Sequence, residues 1–166
     1  MIFADTDILS ALAKVGRLPL LFALFRITRL QIAPGVFKEI AHSVTLGRAY
    51  AADILALIST AQVEVISLTP DETLFCDTLP SSLGAGERES IAIARERKGT
   101  VLSNESRVAH YCRQYQIACV RLPDILRSLW VEGVTSKQEV QALVADLQSE
   151  DKMQFRQSTL DAIFAD

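Results

Sequence analysis

The sequence predicts an α/β protein, a three-layer α/β/α domain around a parallel five-stranded sheet. Three observations carry this. Apolar or β-branched runs of strand length fall at Met1–Ala4, Arg29–Ala33, Val63–Ser67, Thr100–Ser103 and Ile117–Leu122. Segments with helical periodicity separate them, and strands alternating with helices pair in parallel with helices on both faces. The chain has 166 residues, 49% of them hydrophobic and 22% charged. That suffices for a real core and excludes a disordered chain.

The elements follow in order. Met1–Ala4 ends on an acid and reads as a buried strand. After Asp5-Thr6-Asp7, the residues Ile8, Leu9, Leu12 and Val15 recur at helical spacing up to Gly16, and an Asp or Thr at such a junction is a good N-cap. Leu18–Phe25 is a short helix with Pro19 in its first turn. Strand Arg29–Ala33 turns at Pro34-Gly35 into a helix bearing Val36, Glu39 and Ile40. Arg48–Ser59 is a longer helix, and Val63–Ser67 alternates as a strand. Thr69 caps the next helix, with Pro70 at its first position and Glu72 closing a capping box. Leu83-Gly84-Ala85-Gly86-Glu87 opens a helix that stops at Gly99. Strand Thr100–Ser103, helix Glu105–Gln114, strand Ile117–Leu122 and a helix from Pro123 to Glu132 follow, and Gly133 breaks the last. Residues 1–135 form the main body. Residues 136–166 are a helical extension of the same domain, with Lys137–Gln148 the clearer helix and Ser158–Phe164 the weaker.

The formal charge is −3 and the pI near 5.4, which argues against a grip on nucleic acid through a large basic surface. The charge is uneven. Residues 136–166 hold six acids, Asp166 among them, against three bases, while residues 1–135 balance at 14 of each. If several of those 14 acids share one site, the rest of the main body is net basic. Cys76, Cys112 and Cys119 are an odd count without a Cys-x-x-Cys, which fits free thiols in a reducing, cytoplasmic setting. Asp5 and Asp7 interrupt any N-terminal signal core. The apolar stretch near Leu18–Phe25 is too short for a bilayer, so no membrane partner is expected.

The position of the acids is more informative than their number. Asp5 ends the first strand, and Asn104 and Glu105 follow Thr100–Ser103. In open parallel sheets, ligands bind beyond the carboxyl ends of strands. Glu39 and Glu87 lie on apolar helix stripes, beside Val36 and Ile40 and before Ile91 and Ala94. A carboxylate there is costly unless paired or ligating a cation, although either Glu in a first turn also suits a helix dipole. Such an oxygen set fits Mg²⁺ or Mn²⁺. Zinc is disfavoured because His42 and His110 form no cluster with cysteine. Crowded carboxylates imply at least one raised pKa in the metal-free protein.

At this point the residues resemble a known family. Phe3-Ala4-Asp5-Thr6-Asp7-Ile8-Leu9, Pro34-Gly35-Val36-Phe37-Lys38-Glu39-Ile40, Leu83-Gly84-Ala85-Gly86-Glu87 with Ser90–Ala94, and Val101-Leu102-Ser103-Asn104-Glu105 look like the four acidic segments of PIN domains, in order, over residues 1 to about 132. The resemblance implies a Mg²⁺- or Mn²⁺-dependent ribonuclease, often a VapC-type toxin of a bacterial toxin–antitoxin pair, with RNA as substrate and an antitoxin protein as partner. It implies that the first and fourth strands are neighbours. It implies the ligands Asp5, Glu39 and Glu87, with Asn104 or Glu105 fourth. Thr6, Asp7 and Ser103 are candidates to support them by hydrogen bonds, and Arg88, Arg107 or Lys38 to meet phosphate. Asn104 departs from the acidic form of its position.

Two rival readings follow. Asp5-Thr6-Asp7 also resembles the D-x-D of haloacid-dehalogenase-like phosphotransferases, but Ile8-Leu9 stands where Gly-Thr or its like should follow. A PIN-like binding module without turnover is favoured by Asn104. In the tail, Val140, Leu143, Val144 and Leu147 form an apolar stripe, joined by Phe155, Leu160, Ile163 and Phe164. They either pack on the chain's own core or cover a partner, and a homodimer through this region is expected.

Overall fold

The computed structural model describes residues 1–165; Asp166 lies outside the described residues. Five parallel strands are ordered β3-β2-β1-β4-β5: β1 Ile2–Ala4, β2 Leu30–Ile32, β3 Val63–Val65, β4 Thr100–Leu102 and β5 Ala118–Val120. The ten helices are α1 Thr6–Lys14, α2 Pro19–Phe25, α3 Pro34–Thr45, α4 Ala49–Ser59, α5 Pro70–Thr78, α6 Ala85–Glu96, α7 Ser106–Gln114, α8 Leu122–Val131, α9 Lys137–Glu150 and α10 Gln157–Phe164. The architecture is the three-layer α/β/α arrangement the sequence predicts.

The strand order places the site. β1 is central, and the chain first moves outward to β2 and β3. It then crosses back over β1 to β4 and continues to β5. The order therefore reverses at β1, and the crevice beyond its carboxyl end is where such sheets bind ligands. β1 and β4 are in register, with Phe3 opposite Val101 and Ala4 opposite Leu102. Phe3, Ala4, Val101 and Leu102 are fully buried, as strands covered on both faces must be. The sheet stays tight at its entry because Gly99 lies under Phe3, whose ring would be 2.6 Å from any added Cβ.

The C-terminal stripe takes the first of its two alternatives and packs on the chain's own core. Val140, Leu143, Val144 and Leu147 are at most 5% exposed in the single chain, with α9 packed on α1 and α8. The stripe is covered by the chain's own core. Lys14 pairs with Asp151, Trp130 Nε1 donates to the Ile163 carbonyl at 2.9 Å, and Ile163 is buried. All three cysteines are free, Cys76 and Cys112 buried and Cys119 half-buried. Among the described residues no single helix is long and apolar enough to cross a membrane.

Candidate functional site

Helices α1, α3, α7 and α8 each begin where a strand ends, so their N-termini surround the crevice. α6 reaches it through α3. Where the two helices meet, Gly35 and Gly86 lie backbone against backbone. A Cβ on Gly35 would fall 2.5 Å from the Gly86 nitrogen, and one on Gly86 would fall 2.9 Å from the Val36 nitrogen. Only glycine allows that approach. Glu89 Oε2 accepts the Gly35 N–H at 2.5 Å, satisfying one orphan donor of α3. Pro34-Gly35 and Gly84-Ala85-Gly86 are thus two halves of one joint. It holds Glu39, one turn beyond Gly35, near Glu87, the residue after Gly86.

Asp5 is the buried member, 6% exposed. Its Oδ1 accepts the Thr6 N–H at 2.7 Å and its Oδ2 accepts the Ser103 hydroxyl at 2.9 Å. Ser103 is fully buried, and its Oγ also accepts the Glu105 N–H at 3.2 Å. One hydroxyl therefore couples β1 to the start of α7. The Thr6 hydroxyl donates to Glu39, and the Gly84 N–H donates to Glu87 Oε2 at 2.7 Å. Glu87 does cap its helix, as an acid in a first turn can. Glu39 lies off the inward stripe: Val36 and Ile40 are buried while Glu39 is exposed.

Burial pushes the Asp5 carboxyl up to about 7, and Asp7 and Glu87 add to the rise against the hydrogen bonds from Ser103 and Thr6. Glu87 is also raised, first by burial and then by Glu105, Asp7 and Glu39, against the Gly84 N–H. The crowding of like charge expected from the sequence is present, but burial is the larger cause. These mutual influences put Asp5, Asp7, Glu39, Glu87 and Glu105 in one electrostatic group. Among the described residues none of the five is in an ion pair.

Asn104 takes a different direction. Its Oδ1 accepts the Leu122 N–H at 2.9 Å and its carbonyl accepts Arg121 Nη2 at 3.2 Å, so it ties the end of β4 to the start of α8. Of the phosphate candidates, Arg107 donates to the Ser82 carbonyl at 2.9 Å, Arg88 is half-buried and Lys38 exposed.

Among the described residues, no three Asp, Glu, His or Cys side chains are already placed to hold one metal ion. Glu39 and Glu87 lean on Thr6 and Gly84 instead. The donor chemistry nevertheless fits a hard divalent cation. Every candidate atom is oxygen, the group is anionic and crowded, and among the described residues buried Asp5 is in no ion pair. Sequence reasoning missed Glu89 as the cap of α3 and gave Asp7 only a supporting role. No local signal ties Glu89 to a glycine 54 residues earlier.

A parallel α/β fold with a carboxylate group at its topological switch point is an arrangement that binds a ligand beyond the strand ends. The sequence matches the PIN domain family over residues 1–165, and the chain belongs to that family. The match takes in α9 and α10, which the four acidic segments did not reach, and leaves the dehalogenase-like reading without support. No curated protein matches the chain.

Proposed function

We propose that this protein is a Mg²⁺- or Mn²⁺-dependent endoribonuclease that hydrolyses RNA phosphodiester bonds, the toxin of a toxin–antitoxin pair. Asp5 carries this reading: a buried carboxylate pushed up to about 7, grouped with further acids and given no cationic partner by the fold. Asp5, Glu39, Glu87 and Glu105 would hold the cation. Bound there, it would stabilise charge on the scissile phosphate and acidify a water. Ser103 and Thr6 fix Asp5 in orientation, and Thr6 links it to Glu39. Exposed Asp7 would take the proton of the attacking water. Asn104 ties the start of α8 to the end of β4. An antitoxin and a two-fold dimer belong to the same reading, using surface other than the α9 stripe.

The test is cleavage of single-stranded RNA with Mn²⁺ or Mg²⁺, with and without chelator. Chelator should stop it, and Asp5→Asn should slow it by more than about a hundredfold, beyond the usual effect of residues that only support a ligand. Millimolar Mn²⁺ should raise the parent's Tm and leave that of Asp5→Asn nearly unchanged. RNA binding without cleavage would favour the binding-module reading, which the engagement of Asn104 by Leu122 supports. No cleavage together with no metal-induced shift would end the proposal.

A further inference from the structure

A cavity of about 450 Å³ opens beside the carboxylates, between the ends of β4 and β5 and the segment that leads into α10. Its wall includes Asn104, Ser106, Arg121, Gln154, Phe155 and Arg156. Asn104 and Ser106 flank Glu105 in the chain, which brings the cavity next to the candidate site. We propose that it seats the RNA strand flanking the scissile bond, with Arg121 and Arg156 on phosphates and Phe155 against a base. The inference rests on the ribonuclease reading above.

Charge is the first argument. The chain carries a net −3, yet among the described residues this wall has two arginines and no acid. Among the described residues neither Arg121 nor Arg156 is in an ion pair. Arg121 is anchored by its bond to the Asn104 carbonyl, which aims a guanidinium across the strand ends. Arg156 is exposed and directly precedes α10. Arginine matches phosphate geometry by its planar fork. Shape is the second argument. The volume is that of a small-ligand pocket rather than a duplex groove. Half-buried Phe155 supplies the aromatic surface on which single-stranded bases stack. Connectivity is the third. A strand whose scissile phosphate lies at Asp5 must leave the crevice along one side, and on this side Arg121 and Arg156 line one cavity.

The experiment uses the full chain as Asp5→Asn in chelator, so that RNA binds without being cut, and fluorescence anisotropy of a labelled single-stranded RNA. Arg121→Ala with Arg156→Ala should weaken binding roughly tenfold or more. It should also reduce the slope of log K against log salt by about 1.4, the share of two phosphate contacts on a single strand. Arg156→Glu, at an exposed position, should weaken binding at unchanged Tm. Phe155→Leu should weaken binding without changing the salt slope. Arg113→Ala, an exposed cation on α7, should have no effect. Unchanged affinity in both arginine variants overturns the inference and leaves the nuclease reading intact if the parent cleaves. Displacement of RNA by an oligoglutamate of equal charge, as readily as by unlabelled RNA, overturns it in favour of an acidic protein ligand. Absence of both RNA binding by Asp5→Asn and cleavage by the parent sinks the nuclease reading, and this inference with it.

Discussion

Glu72 and Asp5 are both buried acids, 1% and 6% exposed, and the fold treats them oppositely. Glu72 receives a two-pronged guanidinium, Arg97 Nε to Oε1 at 2.6 Å and Nη2 to Oε2 at 2.8 Å, and the Thr69 N–H besides at 2.7 Å. Arg97 holds its carboxyl below the usual range despite burial. Asp5 receives one hydroxyl and one N–H but no cation, and burial drives it up to about 7. α6 connects the two regions, carrying Glu87 at its N-terminus and ending on Arg97. A buried carboxylate that the chain neutralises is architecture. One left without a counter-charge beside other acids is a place for something from outside.

The largest effect should come from removing the internal counter-ion. Arg97→Ala leaves Glu72 buried and unpaired, frees the Ser67 carbonyl that Arg97 also binds at 2.9 Å, and loosens α5 from α6. Breaking a fully buried pair costs about 3–5 kcal/mol. Arg97 is 27% exposed in its side chain, so about 3 kcal/mol is expected by urea denaturation at pH 7. Asp5→Asn in chelator should lose almost nothing or gain stability, since it removes a buried charge with no partner. Equal losses in the two variants would show that the contrast between the sites is false.

Next in size is the joint that holds the acids together. Gly35→Ala drives a Cβ into the Gly86 backbone, and overpacking of this kind costs about 2 kcal/mol. Because backbone rather than a flexible side chain receives the clash, α3 and α6 must separate and carry Glu39 away from Glu87. Cleavage should fall at least tenfold at temperatures where the variant remains folded, as circular dichroism would establish. Full activity in a folded Gly35→Ala protein would mean that the spacing of these acids is unimportant.

What the sequence made legible was local. Apolar runs gave the five strands, each trimmed to the three residues that make the ladder: β2 keeps Leu30–Ile32 and gives up Arg29 and Ala33. Thr69 and Glu72 announced a capping box, and both of its bonds are present. The second role of Glu72 was silent, because Arg97 lies 25 residues on. The positions of Asp5, Glu87 and Glu105 were readable as strand ends and a first turn, whereas Glu39 lies in the second turn of α3, whose first turn holds no acid. The direction Asn104 faces was not, because it depends on how α8 starts after β5. The stripe on α9 showed that it must be covered but not by what, since periodicity does not distinguish the chain's own core from a partner.

The effect that is smallest per step is a pH slope, at most about 1.4 kcal/mol per pH unit, and its sign separates the two acids. Asp5 has a folded pKa of about 7, above its ordinary 3.8. Its contribution to stability is fully present below about 3.8 and is lost as pH rises through about 7. Glu72 is depressed below its ordinary 4.5, so its contribution is present above that value and lost only as pH falls through the lower folded pKa. Between pH 5 and 7 Glu72 is therefore flat while Asp5 declines. One proton is worth at most about 1.4 kcal/mol per pH unit, and titration near the upper end leaves about 2 kcal/mol over this window. Glu87, also raised, adds a slope of the same sign. Urea denaturation in chelator at pH 5, 6 and 7 should show the parent losing stability more steeply than Asp5→Asn, with the Glu87 share remaining in the variant. Millimolar Mn²⁺ at pH 7 should restore to the parent what Asp5 lost, because a bound cation favours the ionised carboxylate. Parallel curves for parent and variant would mean that Asp5 is already ionised without cost, and the central contrast between the two acids would fail.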